Sequence, residues 1–97
     1  MTKIIAVNTK EEDKSWEFEV SVVDESGTSL YKVTLKKDLA ESFGKGILPN
    51  DIVVAAFEFL LKRESKEAIL PEFDIEDITT YFPEFLEVVK EDLLLGQ

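Results

Sequence analysis

The stretch that decides the fold runs from Ser15 to Lys36 and reads SWEFEVSVVDESGTSLYKVTLK. Apolar and polar residues alternate over Ser15–Val23 and again over Thr28–Lys36, which is the period of a half-buried strand. The residues between them, Asp24 to Gly27, are typical of a turn. Aspartate opens type I turns, and glycine accepts the left-handed conformation that closes them. The pattern therefore predicts a β-hairpin.

The register of this hairpin follows from its turn. A four-residue turn sets Val23 opposite Thr28 and, farther along, Glu19 opposite Lys32, a favourable pair on the outer face. The same register brings the apolar side chains of both strands onto the other face. We therefore expect one buried cluster that contains Trp16, Phe18, Val20, Tyr31, Val33 and Leu35.

The segments on either side of the hairpin predict a further strand and two helices. Lys3–Asn8 predicts a short strand, and the sequence leaves open whether it pairs within the chain or with another copy. Asp38 is expected to cap a single helical turn over Leu39–Phe43. Pro49 suits the first turn of a helix that reaches about Glu64, and this helix is apolar on almost every side, which indicates a central, buried position.

The C-terminal part predicts short helical segments that are separated by prolines. Ser65 offers a cap for a turn that ends before Pro71. Asp74 as N-cap with Asp77 three residues later matches a capping box. Pro83 is expected to end that helix or to begin another, because it has no N–H to donate.

These elements together predict an α+β fold in a single domain over residues 1–97. The expected architecture is a small antiparallel β-meander of two or three strands, followed by three to four helices that pack on one face.

The composition excludes several classes of function. The chain has 21 acidic residues, 11 basic residues, no histidine and no cysteine, so its formal net charge is −10. Without cysteine or histidine there are no disulfides, no thiolate metal sites and no histidine general base. We expect no cofactor and no metal. The N-terminal residues lack the apolar stretch of a secretory signal, so the expected location is the cytoplasm.

The negative charge is concentrated in one half of the chain. Residues 1–49 contain nine acidic residues and seven lysines, whereas residues 50–97 contain twelve acidic residues, three lysines and one arginine. Nine of those twelve fall between Glu67 and Asp92, where Lys90 is the only basic residue. This concentration predicts a negative outer face on the C-terminal helices, which either keeps the protein dispersed or binds a basic partner.

Two segments of the C-terminal half, FLLKRESKEAIL from Phe59 and FDIEDITTYFPEF from Phe73, carry a family resemblance. Together with the hairpin they resemble a family of small, uncharacterised bacterial and archaeal proteins with the segments FLLxRExKExIL and FDIxxIxxYFPEF. Before the central helix this chain has ILPND, where the family pattern implies a Ser-Pro-Glu-like start. The resemblance implies a recurrent fold and no particular activity.

Arg63 and the acidic cluster that starts at Asp74 are the candidate ligand-binding groups. The planar guanidinium of Arg63 suits a carboxylate or a phosphate, but the sequence favours an ion pair with Glu67 or with an acidic residue of the next helix. The carboxylates near Asp74–Asp77 suit a hard metal ion, but their place at a helix N-terminus favours capping. A small enzyme or a ligand- or metal-binding protein that uses these carboxylates remains an alternative.

A nucleic-acid function is a second alternative. A strand with Lys32, Thr34 and Lys36, followed by two helices, is similar to a ribbon-helix-helix DNA-binding protein. The short first helix and the net negative charge oppose this interpretation, so we expect no nucleic-acid partner.

The leading hypothesis is a non-enzymatic cytoplasmic interaction or accessory module. Its acidic C-terminal helical face would contact a protein partner, basic in character, and neither nucleic acid nor a membrane is an expected partner. The sequence leaves the oligomeric state open. An alternative role for Tyr81, Phe82 and Phe85 is closure of the core around Pro83. The possible partner surface contains Arg63, Glu67, Tyr81, Glu84, Phe85, Glu87 and Glu91.

Overall fold

A mixed β-sheet forms one layer of the molecule. The computed structural model describes residues 1–95, and its sheet has the strand order β1-β2-β3-β4. The first three strands are antiparallel neighbours, and β4 runs parallel to β3. The α+β class is confirmed, but the expectation of two or three antiparallel strands is wrong, because a fourth, parallel strand joins the sheet. The strands are β1 Lys3–Glu11, β2 Ser15–Asp24, β3 Gly27–Lys36 and β4 Glu72–Asp74.

The predicted hairpin is confirmed together with its register. Val23 lies opposite Thr28, and Glu19 lies opposite Lys32. Asp24 and Gly27 also pair, so the turn itself contains two residues rather than four. Gly27 has a φ of 131°, a backbone conformation that residues with a side chain rarely adopt. The Oδ1 atom of Asp24 accepts hydrogen bonds from the backbone N–H and the hydroxyl of Ser26, at 2.8 and 2.7 Å, which fixes the turn.

Strand β1 pairs with β2 within the same chain and forms one edge of the sheet. It is longer than predicted, because the pairing continues to Glu11 beyond a register shift between Asn8 and Lys10. The side-chain amide of Asn50 donates a hydrogen bond to the backbone carbonyl of Ala6 at 2.8 Å. One backbone group of this edge strand is therefore occupied by the start of the long helix.

Strand β4 was not predicted. It has three residues, too few to show an alternating pattern, and a parallel pair requires a long crossover, here residues 37–71. The backbone N–H of Lys32 donates to the carbonyl of Pro71 at 2.8 Å, next to the ladder. The chain therefore returns to the sheet beside β3 after the long helix.

The helices cover one face of the sheet. They are α1 Lys37–Ser42, α2 Pro49–Leu61, α3 Ile78–Tyr81 and α4 Phe85–Leu95. Two single turns of 3₁₀ helix lie at Lys66–Ala68 and Ile75–Asp77.

Several predicted boundaries and caps differ from the structure. Helix α1 begins at Lys37 and has no side-chain cap, so the cap at Asp38 is wrong. Helix α2 ends at Leu61 rather than near Glu64, and the hydroxyl of Ser65 makes no cap hydrogen bond in the turn that follows. The break at Pro83 is confirmed, because α3 ends two residues before it and α4 begins two residues after it.

The core lies between the sheet and α2. The predicted central position of α2 is confirmed, since six of its residues are buried. Aromatic rings from separate elements pack together there. The ring centroids of Phe57 and Tyr31 are 5.2 Å apart, and those of Phe59 and Phe85 are 5.1 Å apart. Trp16 of the predicted cluster is half-buried, with Lys37 Nζ 5.2 Å from its ring. The largest fully buried side chains are Phe18, Phe43, Phe57, Phe85, Leu35, Ile52 and Ile75.

Candidate protein-interaction surface

An apolar groove of about 540 Å³ opens where α2, the 66–70 segment, β4 and α3 meet. We call it the α2–α3 groove. Three of its lining residues are buried: Leu60, Ile69 and Ile78. Two others, Leu70 and Tyr81, keep 61% and 73% of their surface exposed. Exposed apolar side chains around an apolar depression are typical of binding surfaces.

The charged residues that line the α2–α3 groove are acidic. They are Glu64 and Asp77, and no lysine or arginine of the described residues lines it. Arg63 lies beside Glu64 but points elsewhere, with its guanidinium 3.6 Å from the centre of the Phe59 ring. The groove therefore combines an apolar lining with negative charge.

Arg63 is held by contacts within the chain. Its Nη1 donates to the carbonyl of Phe59 at 3.1 Å, and its Nε lies 3.7 Å from Oε2 of Glu84. Neither ion pair that the sequence suggested is formed within 4.0 Å among residues 1–95: Arg63 does not pair with Glu67, and the acidic residue that it contacts, Glu84, precedes α4 instead of lying in the next helix, α3. Arg63 thus connects the end of α2 to the start of α4.

Three acidic residues form a row along α4: one directly precedes the helix and two lie within it. Glu84, Glu87 and Glu91 are spaced by three and four residues, so they share one side of the helix, and all three are exposed. We call this row the acidic stripe. Glu84 contacts Arg63, whereas Glu87 and Glu91 form no ion pair within 4.0 Å among residues 1–95. The stripe is therefore open to solvent.

Phe85 belongs to the core and not to the surface. Its exposure is 0%, and its ring lies 5.1 Å from that of Phe59 and 6.3 Å from that of Phe43. Its inclusion in the partner surface is wrong, because the face of α4 that contains it packs on α2. Tyr81 and Glu67 are exposed as expected. Phe82 is half-buried, and the centroid of its ring lies 5.7 Å from that of Phe59.

The carboxylates from Asp74 to Asp77 hold the turn between β4 and α3. Asp74 accepts from the N–H of Glu76 at 2.9 Å, and Asp77 accepts from the N–H of Asp74 at 3.3 Å, which confirms the predicted capping box. Glu76 lies 3.2 Å from Lys36. Burial raises the pKa of the Asp74 carboxyl, while the Glu76 N–H and Lys36 oppose that shift. Within residues 1–95 no group of three or more such side chains is placed to hold a metal ion.

A buried lysine, missed in the sequence, fixes one wall of the α2–α3 groove. Lys66 is 8% exposed, and its Nζ donates to Oδ1 of Asp24 at 2.7 Å and to the carbonyl of Gly27 at 3.1 Å. The Tyr31 hydroxyl donates to the backbone carbonyl of Lys66 at 2.6 Å. The hydrogen bond from Lys66, together with those from Ser26, lowers the pKa of Asp24 to about 2. The 66–70 segment is thus tied to the hairpin.

The strand that carries Lys32, Thr34 and Lys36 has neighbours on both sides. β3 pairs with β2 and with β4, and Lys32 lies opposite Glu19 on one side and Glu72 on the other. In a ribbon-helix-helix protein the corresponding strand enters the DNA groove as part of a two-stranded ribbon. The nucleic-acid alternative stays a prediction. In this chain β3 lies inside a sheet, between β2 and β4, and not in a two-stranded ribbon.

Comparison of the chain with protein-family models, curated proteins and solved structures finds no match. The family resemblance therefore stays a prediction. Among residues 1–95 every helix is too short or too polar to cross a membrane.

Proposed function

We propose that this chain is a non-enzymatic, cytoplasmic protein-interaction module that binds a basic partner protein through the acidic stripe. The observation that supports this most directly is the exposure of Glu87 and Glu91, which form no ion pair within 4.0 Å among residues 1–95. A row of carboxylates on one helix face produces a negative field that attracts and orients a basic surface.

The stability of α4 accounts for only part of this acidity, because Glu87 lies in the first turn, where the helix dipole favours negative charge. Glu87 and Glu91 are one helical turn apart, and such like-charged pairs destabilise a helix. Asp92 lies in the last turn, where the helix dipole disfavours negative charge, and that turn contains no basic residue. Glu91 and Asp92 are therefore placed against the local preference of the helix, which supports a role for them outside the folded chain.

Site-specific crosslinking in the host cell tests the proposal. A photoreactive amino acid replaces Leu86, which is 36% exposed and adjoins the stripe, and the control replaces Leu30 on the opposite face of the sheet. We expect a discrete protein adduct from position 86 and none from position 30. Equal labelling from both positions would contradict a partner surface on α4.

The captured partner then allows a quantitative test. We expect Glu87→Lys with Glu91→Lys to weaken binding at least about tenfold, since each substitution sets like charges against each other. Glu12→Lys with Asp13→Lys is the matched control, because it changes the net charge equally in the exposed loop between β1 and β2. Binding should also weaken as salt is raised. An equal loss in both double variants would argue against the stripe.

A further inference from the structure

The α2–α3 groove lies next to the acidic stripe. Glu64 lines the groove, its neighbour Arg63 contacts Glu84 of the stripe, and Phe82 of the groove contacts Phe59, on which Arg63 stacks. A single bound segment can therefore lie across both features. The volume of about 540 Å³ is in the range of pockets that hold small ligands or side chains.

The walls of the groove are held in place without a ligand. Lys66 anchors the 66–70 segment to Asp24 and Gly27, and the capping box at Asp74 and Asp77 fixes the start of α3. A site whose walls are already ordered loses less conformational freedom on binding, so more of the contact energy appears as affinity.

The charge around the groove selects its occupant. Glu64 and Asp77 line it, and Glu67 and Glu72 are exposed in the same stretch of chain. Arg63, which precedes Glu64 in the chain, is stacked on Phe59 and paired with Glu84. An apolar side chain with cations on both sides complements this arrangement, whereas an acidic or purely apolar segment does not.

We propose that the α2–α3 groove binds one large apolar side chain of a basic peptide segment, whose lysine or arginine residues lie along Glu64, Asp77 and the acidic stripe. This inference rests on the proposed function and adds to it the chemistry of the partner. The basic residues of the peptide are attracted to the acidic stripe, and the apolar side chain, bound in the groove, fixes where the peptide lies along the stripe.

Two synthetic peptides test the inference. Both are fluorescent 12-residue peptides of lysine, arginine and serine, and they differ only at the centre, where one has phenylalanine and the other serine. We expect the full chain to bind the phenylalanine peptide about tenfold or more tightly than the serine peptide, as burial of one such side chain predicts. The methyl NMR signals of Ile69 and Ile78 should shift with that peptide only.

Variants of exposed residues locate the effect. Leu70→Ser with Tyr81→Ser should bring binding of the phenylalanine peptide to the level of the serine peptide. Leu30→Ser is the control, because Leu30 has the same 61% exposure as Leu70 but lies on the outer face of the sheet. Leu30→Ser should leave the ratio unchanged, and an equal effect of both changes would overturn the inference.

The outcomes separate this inference from the proposed function. Equal binding of the two peptides, lost in the Glu87→Lys, Glu91→Lys variant, overturns the groove and retains the stripe. Tighter binding of the phenylalanine peptide, with the affinities of both peptides unchanged in that variant, retains the groove and overturns the stripe. Failure of both peptides to bind at low salt overturns both.

Discussion

The acidic residues on the sheet side and those on α4 differ in their surroundings. Three carboxylates near the sheet each have an oxygen close to the Nζ atom of a lysine: Glu11 and Lys37 at 2.7 Å, Asp24 and Lys66 at 2.7 Å, and Glu76 and Lys36 at 3.2 Å. On α4 the carboxylates point to solvent. These three carboxylates take part in the fold through ion pairs, whereas Glu87 and Glu91 of α4 form none within 4.0 Å among residues 1–95. The paired and the unpaired carboxylates can therefore be perturbed separately.

The largest expected effect separates the buried and exposed sides of the α3–α4 region. Phe85→Ala should lower the free energy of unfolding by about 3–5 kcal/mol, because it removes a fully buried ring between Phe43 and Phe59. Tyr81→Ala should change it by less than about 0.5 kcal/mol, since that side chain is 73% exposed. Urea denaturation followed by circular dichroism measures both. Similar losses would place Tyr81 in the core.

The next effect compares an ion pair at the sheet with one at α4. Lys66→Met should cost about 1–3 kcal/mol, because it removes a buried, hydrogen-bonded ammonium group and leaves the Gly27 carbonyl without that donor. Glu84→Gln should cost about 1 kcal/mol or less, because its pair with Arg63 is partly exposed. The same denaturation curves decide the order, and a larger loss in Glu84→Gln would reverse the contrast between the two regions.

Acid should destabilise the sheet side through Asp24 and Glu11. Hydrogen bonds from Lys66 hold the pKa of Asp24 at about 2, and the hydrogen bond from Lys37 lowers the pKa of Glu11. Because the folded pKa values lie below the unfolded ones, this stability is present above about pH 4.5 and is lost toward pH 2. The raised pKa of Asp74 acts with the opposite sign.

Denaturation at a series of pH values between 2 and 7 tests this dependence. In Asp24→Asn the fall in unfolding free energy toward pH 2 should be shallower than in the parent chain. A parallel pair of curves would show that Asp24 has the same proton affinity in the folded and unfolded states.

The smallest expected effect lies on α4 and has the opposite direction. Glu91→Lys should raise the free energy of unfolding by a few tenths of a kcal/mol, because it removes repulsion from Glu87 and places a cation toward the negative end of the helix. Glu12→Lys, in a loop, serves as the control for the change in net charge. Loss of stability in Glu91→Lys would show that this carboxylate supports the fold.

The sequence predicts features that depend on neighbouring residues. The hairpin register follows from alternation on both sides of Asp24–Gly27, and the capping box follows from two acids three residues apart. The break at Pro83 follows from its missing N–H. Each of these is a local consequence of backbone geometry, so a pattern of a few residues is sufficient.

Features that depend on distant contacts were not predictable. Lys66 and Asp24 are 42 residues apart, and nothing in the surrounding charged residues distinguishes this lysine from an exposed one. β4 is three residues long, and the α2–α3 groove exists only after four segments have come together. On α4 both Phe85 and Leu86 are apolar, so the pattern does not decide which of them is buried, and the structure buries Phe85.

Strand β1 also has a consequence for how this protein behaves at high concentration. An unpaired edge strand is a template for pairing with other molecules, and β1 exposes Ile5 and Val7 on its outer face. The hydrogen bond from Asn50 to Ala6 and the irregularity after Asn8 interrupt that template. A single amide at the start of α2 therefore helps to keep this edge from aggregating.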